Sequence, residues 1–339
     1  MGSHRRTAPS SGPDRSTVVA LGLLSAAATA LGAAPTSSAT PYDDTRADVD
    51  RLYQEAEKAT EAYNAADERA DGLRRQIAAM QDGIARKQSR VNTMRESLGS
   101  LAGAQYRSGG LEPTLALLLS DDPEDYLEKA SVLDRITVHQ AGELSRLRGV
   151  LRSLAQDRAE ATGRLGALEK SRKAVAAHKR TVEKKLAEAR RLLGSLPAGE
   201  RAAWDRATRS ARTDILPGPG AMPSSARAAA AVAAARSALG RPYVWGANGP
   251  AGFDCSGLTQ WSYAQAGVAL PRTSQAQRYA GRQVPLSEAR PGDLVVYRSD
   301  ASHVGMYMGN GQVIHAPYPG APVRYDPVGM MPVSSVTRV

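Results

Sequence analysis

Phe253-Asp254-Cys255-Ser256-Gly257-Leu258 contains the only cysteine of this 339-residue chain. Asp254 is a favourable N-cap, so a helix is predicted from Cys255 to residue 266, ended by Gly267. A sulfur in the first turn lies near the positive end of the helix dipole, which favours thiolate over thiol. A lone cysteine can also be a small buried hydrophobe. With no possible intramolecular disulfide partner, it is better interpreted as a nucleophile.

Two histidines follow this helix. His303 begins a predicted strand and His315 ends the next one, with Gly309-Asn310-Gly311 between them as a hairpin turn. The hairpin can bring both rings to the same side of a sheet edge. Cysteine peptidases need a thiol, an imidazole that takes its proton and a polar group that orients the imidazole. Each residue alone has a structural interpretation, but together Cys255, His303 and His315 predict a catalytic site.

The C-terminal segment, residues 226–339, has the pattern of a compact domain with an aromatic core. Helices are predicted over residues 226–239 and 255–266. Strands are predicted over residues 293–297, 304–308 and 312–315. Helices followed by an antiparallel sheet indicate an α+β domain.

The N-terminus has the zones of a secretory signal peptide, predicted over residues 1–39. Arg5, Arg6 and Arg15 precede an apolar stretch over residues 17–34, and small residues follow it. An uncleaved membrane anchor is the alternative, because the stretch is nearly long enough to span a bilayer. We therefore expect a secreted, extracellular protein associated with the cell wall.

Residues 40–215 predict an all-α coiled-coil hairpin. Apolar or small residues recur at alternating intervals of four and three from Leu52 to Leu101, with Lys87 as the only break. A looser seam runs from Ala130 to Leu196. Glycines and a proline between the two segments allow the chain to double back. The seams do not decide whether the helices pair within one chain or between two chains.

The apolar run at residues 115–119 falls at the predicted hairpin tip. Such a run is either buried locally or forms a docking surface for a partner. We expect this partner to be a membrane-bound division or regulatory complex that relieves restraint of the catalytic domain. Residues 216–225 are rich in proline and glycine and predict a linker to the C-terminal domain.

The formal net charge of +10 suits an anionic partner such as a cell wall, a membrane surface or nucleic acid. No nucleic-acid motif accompanies the charge, so no nucleic-acid partner is predicted. Paired cysteines or histidines at metal-ligand spacing are also absent from the sequence, so no metal site and no cofactor are predicted.

These residues and their surroundings resemble the NlpC/p60 family, papain-like cysteine peptidases of bacterial peptidoglycan. The resemblance is carried by residues 240–247, 253–258, 270–274, 290–294, 302–309 and 315–316. It implies a papain-like C-terminal domain with Cys255 as nucleophile, His303 as base and His315 as orienting residue. The helical region is similar to the regulatory arm that precedes such domains in division-associated hydrolases.

The resemblance also implies a substrate, the stem peptides of peptidoglycan, cleaved between D-γ-glutamate and the following diamino acid. It places the Tyr243 hydroxyl beside the thiolate, where it can stabilise an oxyanion. Asp254, Ser256 and Arg272 are expected near the substrate groove, although each also has a structural interpretation as a helix cap, a first-turn residue or an ion-pair partner. The alternatives are a catalytically silent wall-binding scaffold, or an amidase or acyl transferase on the same fold.

Overall fold

The computed structural model describes residues 41–107, 123–209 and 222–339. The predicted signal peptide, the apolar run at the tip and most of the linker lie outside the described residues. Two long helices, α1 (Pro41–Arg107) and α2 (Pro123–Ser195), form the helical arm, and a short helix α3 (Ala198–Arg209) follows. Among the described helices, none combines the length and apolar character needed to cross a bilayer.

The two arm helices pack against each other in antiparallel orientation. Lys185 near the end of α2 forms an ion pair with Glu55 near the start of α1. Further along, the Lys87 ammonium lies 2.6 Å from both the Asp157 carboxylate and the Ser153 hydroxyl of α2. The break that Lys87 makes in the apolar stripe is therefore a charged contact between the helices.

The seam between the arm helices is buried at one end and partly exposed at the other. Where α3 folds back, Trp204 packs with Val49, Leu52 and Ala189 in a buried cluster. Farther along α1 and α2, the predicted seam residues Leu101 and Leu144 are 39% and 44% exposed. Between these regions the seam residues Val91 and Leu154 are still buried, so the seam opens only farther along the arm.

The C-terminal domain combines helices with one six-stranded antiparallel sheet, as expected for the predicted α+β class. Its helices are α4 (Ala226–Ser237), α5 (Cys255–Gln265) and the single turn α6 (Ser274–Gln277). The strands are β1 (Arg282–Val284), β2 (Leu294–Tyr297), β3 (His303–Gly309), β4 (Gln312–His315), β5 (Arg324–Pro327) and β6 (Val333–Arg338). In the sheet they lie in the order β1-β6-β2-β3-β4-β5.

The packing of α5 on the sheet positions the lone cysteine. Leu258 and Tyr263 of α5 belong to the same buried cluster as Val304 and Met306 of β3. This contact holds the first turn of α5 beside the start of β3. Cys255 therefore lies next to the strand that begins with His303.

The β3–β4 hairpin is formed as predicted. Gly309, Asn310 and Gly311 have φ values of 93°, 52° and 68°, which lie in the left-handed region that glycine and asparagine tolerate best. The two strands pair in antiparallel register, with Met306 opposite Ile314. Strands β1, β5 and β6 were not predicted.

Candidate active site

Cys255 is the first residue of α5, as the sequence predicted. Asp254 is the N-cap, and its Oδ1 accepts a hydrogen bond of 2.6 Å from the Gly257 amide. A Cβ at Gly257 would lie 2.2 Å from the Ala247 carbonyl oxygen, so this approach requires glycine. The Cys255 side chain is only 1% exposed. Its sulfur lies within 4.8 Å of a ring nitrogen of His303.

The structure brings His303 and His315 together with an unpredicted residue, Asp326 of β5. His303 Nε2 lies 2.8 Å from His315 Nδ1, and His315 Nε2 lies 2.8 Å from the Asp326 carboxylate. Arg324 also donates to this carboxylate, over 2.7 Å. Asp326 accepts the Nε2 proton of His315, which leaves His315 Nδ1 as acceptor for the Nε2 proton of His303.

This relay leaves Nδ1 as the ring nitrogen of His303 that can act as a base once Glu57 has moved away. With its Nε2 proton donated to His315, His303 has Nδ1 as the nitrogen that can take a proton from Cys255. Burial lowers the pKa of His315 to about 4, against the opposing effect of Asp326. His315 is therefore neutral at pH 7 and serves as an orienting group.

The predicted substrate-groove residues form one hydrogen-bonded group at the start of α5. Arg272 donates to both carboxylate oxygens of Asp254, over 3.0 and 2.6 Å, and to the Ser256 hydroxyl over 3.0 Å. Tyr243 is also buried in this domain. Burial, followed by the charge of Cys255, raises the pKa of Tyr243 well above its ordinary value. Its hydroxyl therefore keeps the proton that an oxyanion donor needs.

Helix α1 of the arm inserts a carboxylate directly beside the predicted base. The Glu57 carboxylate contacts Nδ1 of His303 with one oxygen and the Arg298 guanidinium with the other. Burial would raise the pKa of Glu57, but the charges of His303 and Arg298 outweigh it and hold the pKa below its ordinary value. Glu57 is thus ionised and can only accept, so the proton in this contact lies on His303.

A second arm carboxylate lies beside the sulfur. Glu61 Oε1 accepts a hydrogen bond of 2.7 Å from the Ser256 hydroxyl and lies 3.7 Å from the Cys255 sulfur. Its Oε2 accepts from the Ser274 amide over 2.7 Å. Burial and the neighbouring Asp254 charge raise the pKa of Glu61 to about 7.

Aromatic and amide contacts surround this pair of glutamates. Asn64 donates to the Asp254 carboxylate over 3.0 Å. Tyr63 packs edge-on against Trp245, with ring centroids 5.2 Å apart. Tyr53 stacks on Tyr318 at 5.1 Å. The segment from Tyr53 to Asn64, which we call the latch, thus covers the predicted site along three turns of α1.

Comparison with known proteins identifies the C-terminal domain. Residues 240–336 match the model of the NlpC/P60 family. The C-terminal domain is an NlpC/P60 domain. The resemblance that the sequence shows over this domain is thereby confirmed.

Some curated relatives match most of the chain, and others match about a third of it or less. Probable endopeptidase Rv2190c of Mycobacterium tuberculosis is 29% identical over 338 residues, covering 86% of this chain and 88% of the relative. Probable endopeptidase p60 of Listeria monocytogenes is 52% identical over 97 residues, or 28% of this chain and 20% of the relative. The curated relatives are thus named as probable endopeptidases.

Solved structures of peptidoglycan hydrolases match about a third of the chain. The peptidoglycan hydrolase RipB of Mycobacterium tuberculosis is 37% identical, with 33% of this chain and 64% of that chain covered and a TM-score of 0.31. The NlpC/p60 domain of the peptidoglycan hydrolase SagA is 38% identical, with 33% and 98% covered and a TM-score of 0.32.

The latch reverses the thiolate preference expected from the helix dipole. Burial raises the pKa of Cys255 well above its ordinary value, and the nearby carboxylates of Glu61 and Glu57 raise it further. A hydrogen bond from the Val304 amide acts in the opposite direction but is the smaller effect. In this closed arrangement of the NlpC/P60 site, the thiol therefore keeps its proton. The expectation of a thiolate considered only α5 and did not include charges from α1.

The sequence did not predict the residues of α1, of β5 and of the loop at Arg298 that contact the predicted triad. Glu57, Glu61 and Asn64 recur at intervals of four and three, which is a signal of a shared helix face. A polar face beside an apolar seam ordinarily faces solvent, so this signal does not indicate an active site. Asp326 lies in the unpredicted strand β5, and Arg298 lies in a loop with φ of 64°.

Proposed function

We propose that the chain is a secreted cysteine endopeptidase of peptidoglycan that cleaves stem peptides between D-γ-glutamate and the diamino acid. The observation that carries the proposal is the hydrogen-bonded relay from Asp326 through His315 to Nε2 of His303, whose ring lies beside the Cys255 sulfur. The NlpC/P60 domain at residues 240–336, together with relatives named as probable endopeptidases, supports this choice of reaction class.

The proposed reaction begins when the latch leaves the site. His303 Nδ1 takes the proton from the Cys255 thiol, and the thiolate attacks the γ-carbonyl carbon of the D-glutamyl residue. The Tyr243 hydroxyl donates to the oxyanion that forms. His303 then gives its proton to the departing amine of the diamino acid, leaving a thioester on Cys255.

Hydrolysis of the thioester completes the cycle. His303 takes a proton from a water molecule, whose oxygen attacks the thioester carbonyl. The carbon–sulfur bond breaks and the thiolate takes the proton from His303. The products are a D-glutamyl peptide with a free γ-carboxyl group and a peptide that begins with the diamino acid.

We further propose that the helical arm restrains this activity. The support is chemical as well as steric. Glu57 contacts the nitrogen that must receive the thiol proton, and Glu61, when ionised, places negative charge beside the sulfur that must become negative. Both effects oppose formation of the thiolate, in addition to the cover that the latch provides.

Release of the arm is the regulatory step in this proposal. We propose that a membrane-bound division or regulatory complex engages the hairpin tip, including the apolar residues 115–119, and withdraws the latch. The net charge of +10 would keep the secreted protein near anionic wall polymers. This fits an extracellular enzyme associated with the cell wall.

The test is digestion of purified cell walls by the full chain, by its Cys255→Ala variant and by a Glu57→Gln variant. We expect weak release of muropeptides by the full chain, strong release by Glu57→Gln and none by Cys255→Ala. Mass spectrometry should show new ends at the diamino acid. Release that survives Cys255→Ala would overturn the cysteine mechanism.

The same digest separates the alternative reactions. An amidase would release peptides that begin with L-alanine from the sugar, whereas an acyl transferase would give a new acyl product. A silent scaffold would give no products with any variant, including those that free the latch.

A further inference from the structure

Docking of the latch brings together a set of metal-ligating atoms that no single segment contains. One carboxylate oxygen of Glu57, the sulfur of Cys255 and a ring nitrogen of His303 all lie within 4.8 Å of one another, and all three residues are buried. Zinc–ligand bonds of about 2.0–2.3 Å in a tetrahedron place ligand atoms roughly 3.3–3.7 Å apart. Small side-chain adjustments are sufficient to bring the three atoms to that spacing.

Glu61 provides a fourth oxygen on the same side of the sulfur. Its Oε1 lies 3.7 Å from the Cys255 sulfur, at the separation expected for two ligands of one zinc ion. Its hydrogen-bond donors, the Cys255 thiol, the Ser256 hydroxyl and the Ser274 amide, are all neutral. A buried carboxylate held only by neutral donors gains most from a nearby cation.

The surrounding contacts already orient two of these ligands. Arg298 holds the second oxygen of Glu57, and His315 accepts the Nε2 proton of His303. A histidine ligand of zinc ordinarily makes such a contact through its other nitrogen, because the contact fixes the tautomer. Here it leaves Nδ1 as the nitrogen available to an ion.

The types of donor atom select the class of ion. One sulfur, one imidazole nitrogen and two carboxylate oxygens form a tetrahedral set suited to Zn²⁺ or Co²⁺. Mg²⁺ and Ca²⁺ prefer sites made of oxygen alone. Binding would displace the thiol proton of Cys255 and the Nδ1 proton of His303, so affinity should rise with pH.

We infer that the closed form of this protein has a binding site for a zinc-type divalent cation, made of Cys255 and His303 from the C-terminal domain and Glu57 and Glu61 from α1. The ion would bridge the two parts of the chain and hold the latch in place. Once the latch withdraws, only two of the four ligands remain on the C-terminal domain. The spacing of residues along the sequence gave no sign of this site, because Glu57 and His303 are separated by 246 positions.

The regulatory meaning of the site rests on the proposed restraint by the arm, but ion binding can be measured without any peptidase activity. Metal-free full chain would be titrated with Zn²⁺ against a chromophoric chelator, and with Co²⁺ in an absorption spectrometer. We expect one equivalent to bind, with sulfur-to-cobalt charge-transfer absorption. Cys255→Ser should abolish that absorption.

Glu57→Gln should weaken zinc binding by about 10- to 100-fold, since it removes one ligand. Glu96→Gln, an exposed glutamate farther along α1, is the matched control and should bind as the wild type does. Glu57→His, which supplies another zinc ligand but no carboxylate for Arg298, should recover part of the affinity. Circular dichroism of each variant checks that the chain is folded.

The inference is overturned if the full chain binds no stoichiometric zinc, or if Glu57→Gln binds it as tightly as the wild type. If the chain fails to bind zinc, its digestion of cell walls in buffer with a chelator should be unchanged, so that result would not count against the proposed function. Conversely, a chain that binds zinc as expected but releases no muropeptides would refute the proposed function alone.

Discussion

The contact of Glu57 with His303 and Arg298 gives the sharpest test of the closed site. Glu57→Gln keeps the shape of the side chain but removes the charge that both partners face. Removing one partner of a buried ion pair costs about 3–5 kcal/mol. At about 1.4 kcal/mol for each factor of ten, the population with a withdrawn latch should rise at least 100-fold.

Alkylation of the thiol reports this population directly. Cys255 is the only cysteine of the chain, so a single iodoacetamide adduct in a mass spectrum identifies it. Its side chain is 1% exposed in the closed form, so the reagent gains access when the latch moves. In buffer with a metal chelator, we expect Glu57→Gln to react about 100-fold faster than the wild type, up to the rate of a free active-site thiolate.

Glu96→Gln is again the control, because it removes the same charge from an exposed position on the same helix. It should leave the alkylation rate unchanged. Equal rates for the wild type and Glu57→Gln, with both proteins folded by circular dichroism, would show that this contact does not close the site.

Three further outcomes are expected. Burial in the closed form raises the pKa of Glu61 to about 7. The stabilisation that protonated Glu61 gives to the closed form is therefore complete below the ordinary pKa of a glutamate and is lost as pH rises through 7. The alkylation rate of the wild type should accordingly increase more steeply between these two pKa values than that of Glu61→Gln. In a latch-released background, Asp326→Asn should lower kcat about 10- to 100-fold with little change in KM, because His315 loses the acceptor that sets its tautomer. Gly257→Ala should lower the free energy of unfolding by about 1–3 kcal/mol or more, measured by chemical denaturation, because its Cβ would clash with backbone. Gly163→Ala, with open space at its Cβ on the arm, should be neutral or stabilising by up to about 1 kcal/mol.

The parts of the site that could be predicted from sequence depend on short-range signals. Asp254 before Cys255 is a local capping pattern, and the glycines around Asn310 are a local turn pattern. Both patterns are local, so each could be recognised without knowing the rest of the fold. The α+β class follows from the order of these elements.

The parts that could not be predicted depend on long-range packing. Strand β6 lies between β1 and β2, although it is the last strand in the sequence. Its residues, from Val333 to Arg338, alternate too weakly for a period of two to be recognised. Asp326 was missed for the same reason, since β5 is short and polar.

The latch illustrates the same limit for the site itself. A glutamate on a long charged helix is ordinarily solvated, and sequence spacing cannot show that Glu57 is buried against His303. The expectation of a thiolate at Cys255 considered the helix dipole alone. Burial is the main effect that opposes it, and the charges of Glu61 and Glu57, roughly 200 positions away in sequence, add to that effect.

The covalent connection between the latch and the site also affects how the enzyme responds to its own abundance. Glu57 and Glu61 are present at one copy for each Cys255, and the intervening chain holds them at an effective local concentration that dilution cannot lower. An inhibitor on a separate protein would be outnumbered whenever the enzyme was overproduced, whereas this one cannot be. Cutting the chain between the arm and the C-terminal domain would change this, because the arm could then diffuse away and its rebinding would depend on the concentration of both pieces.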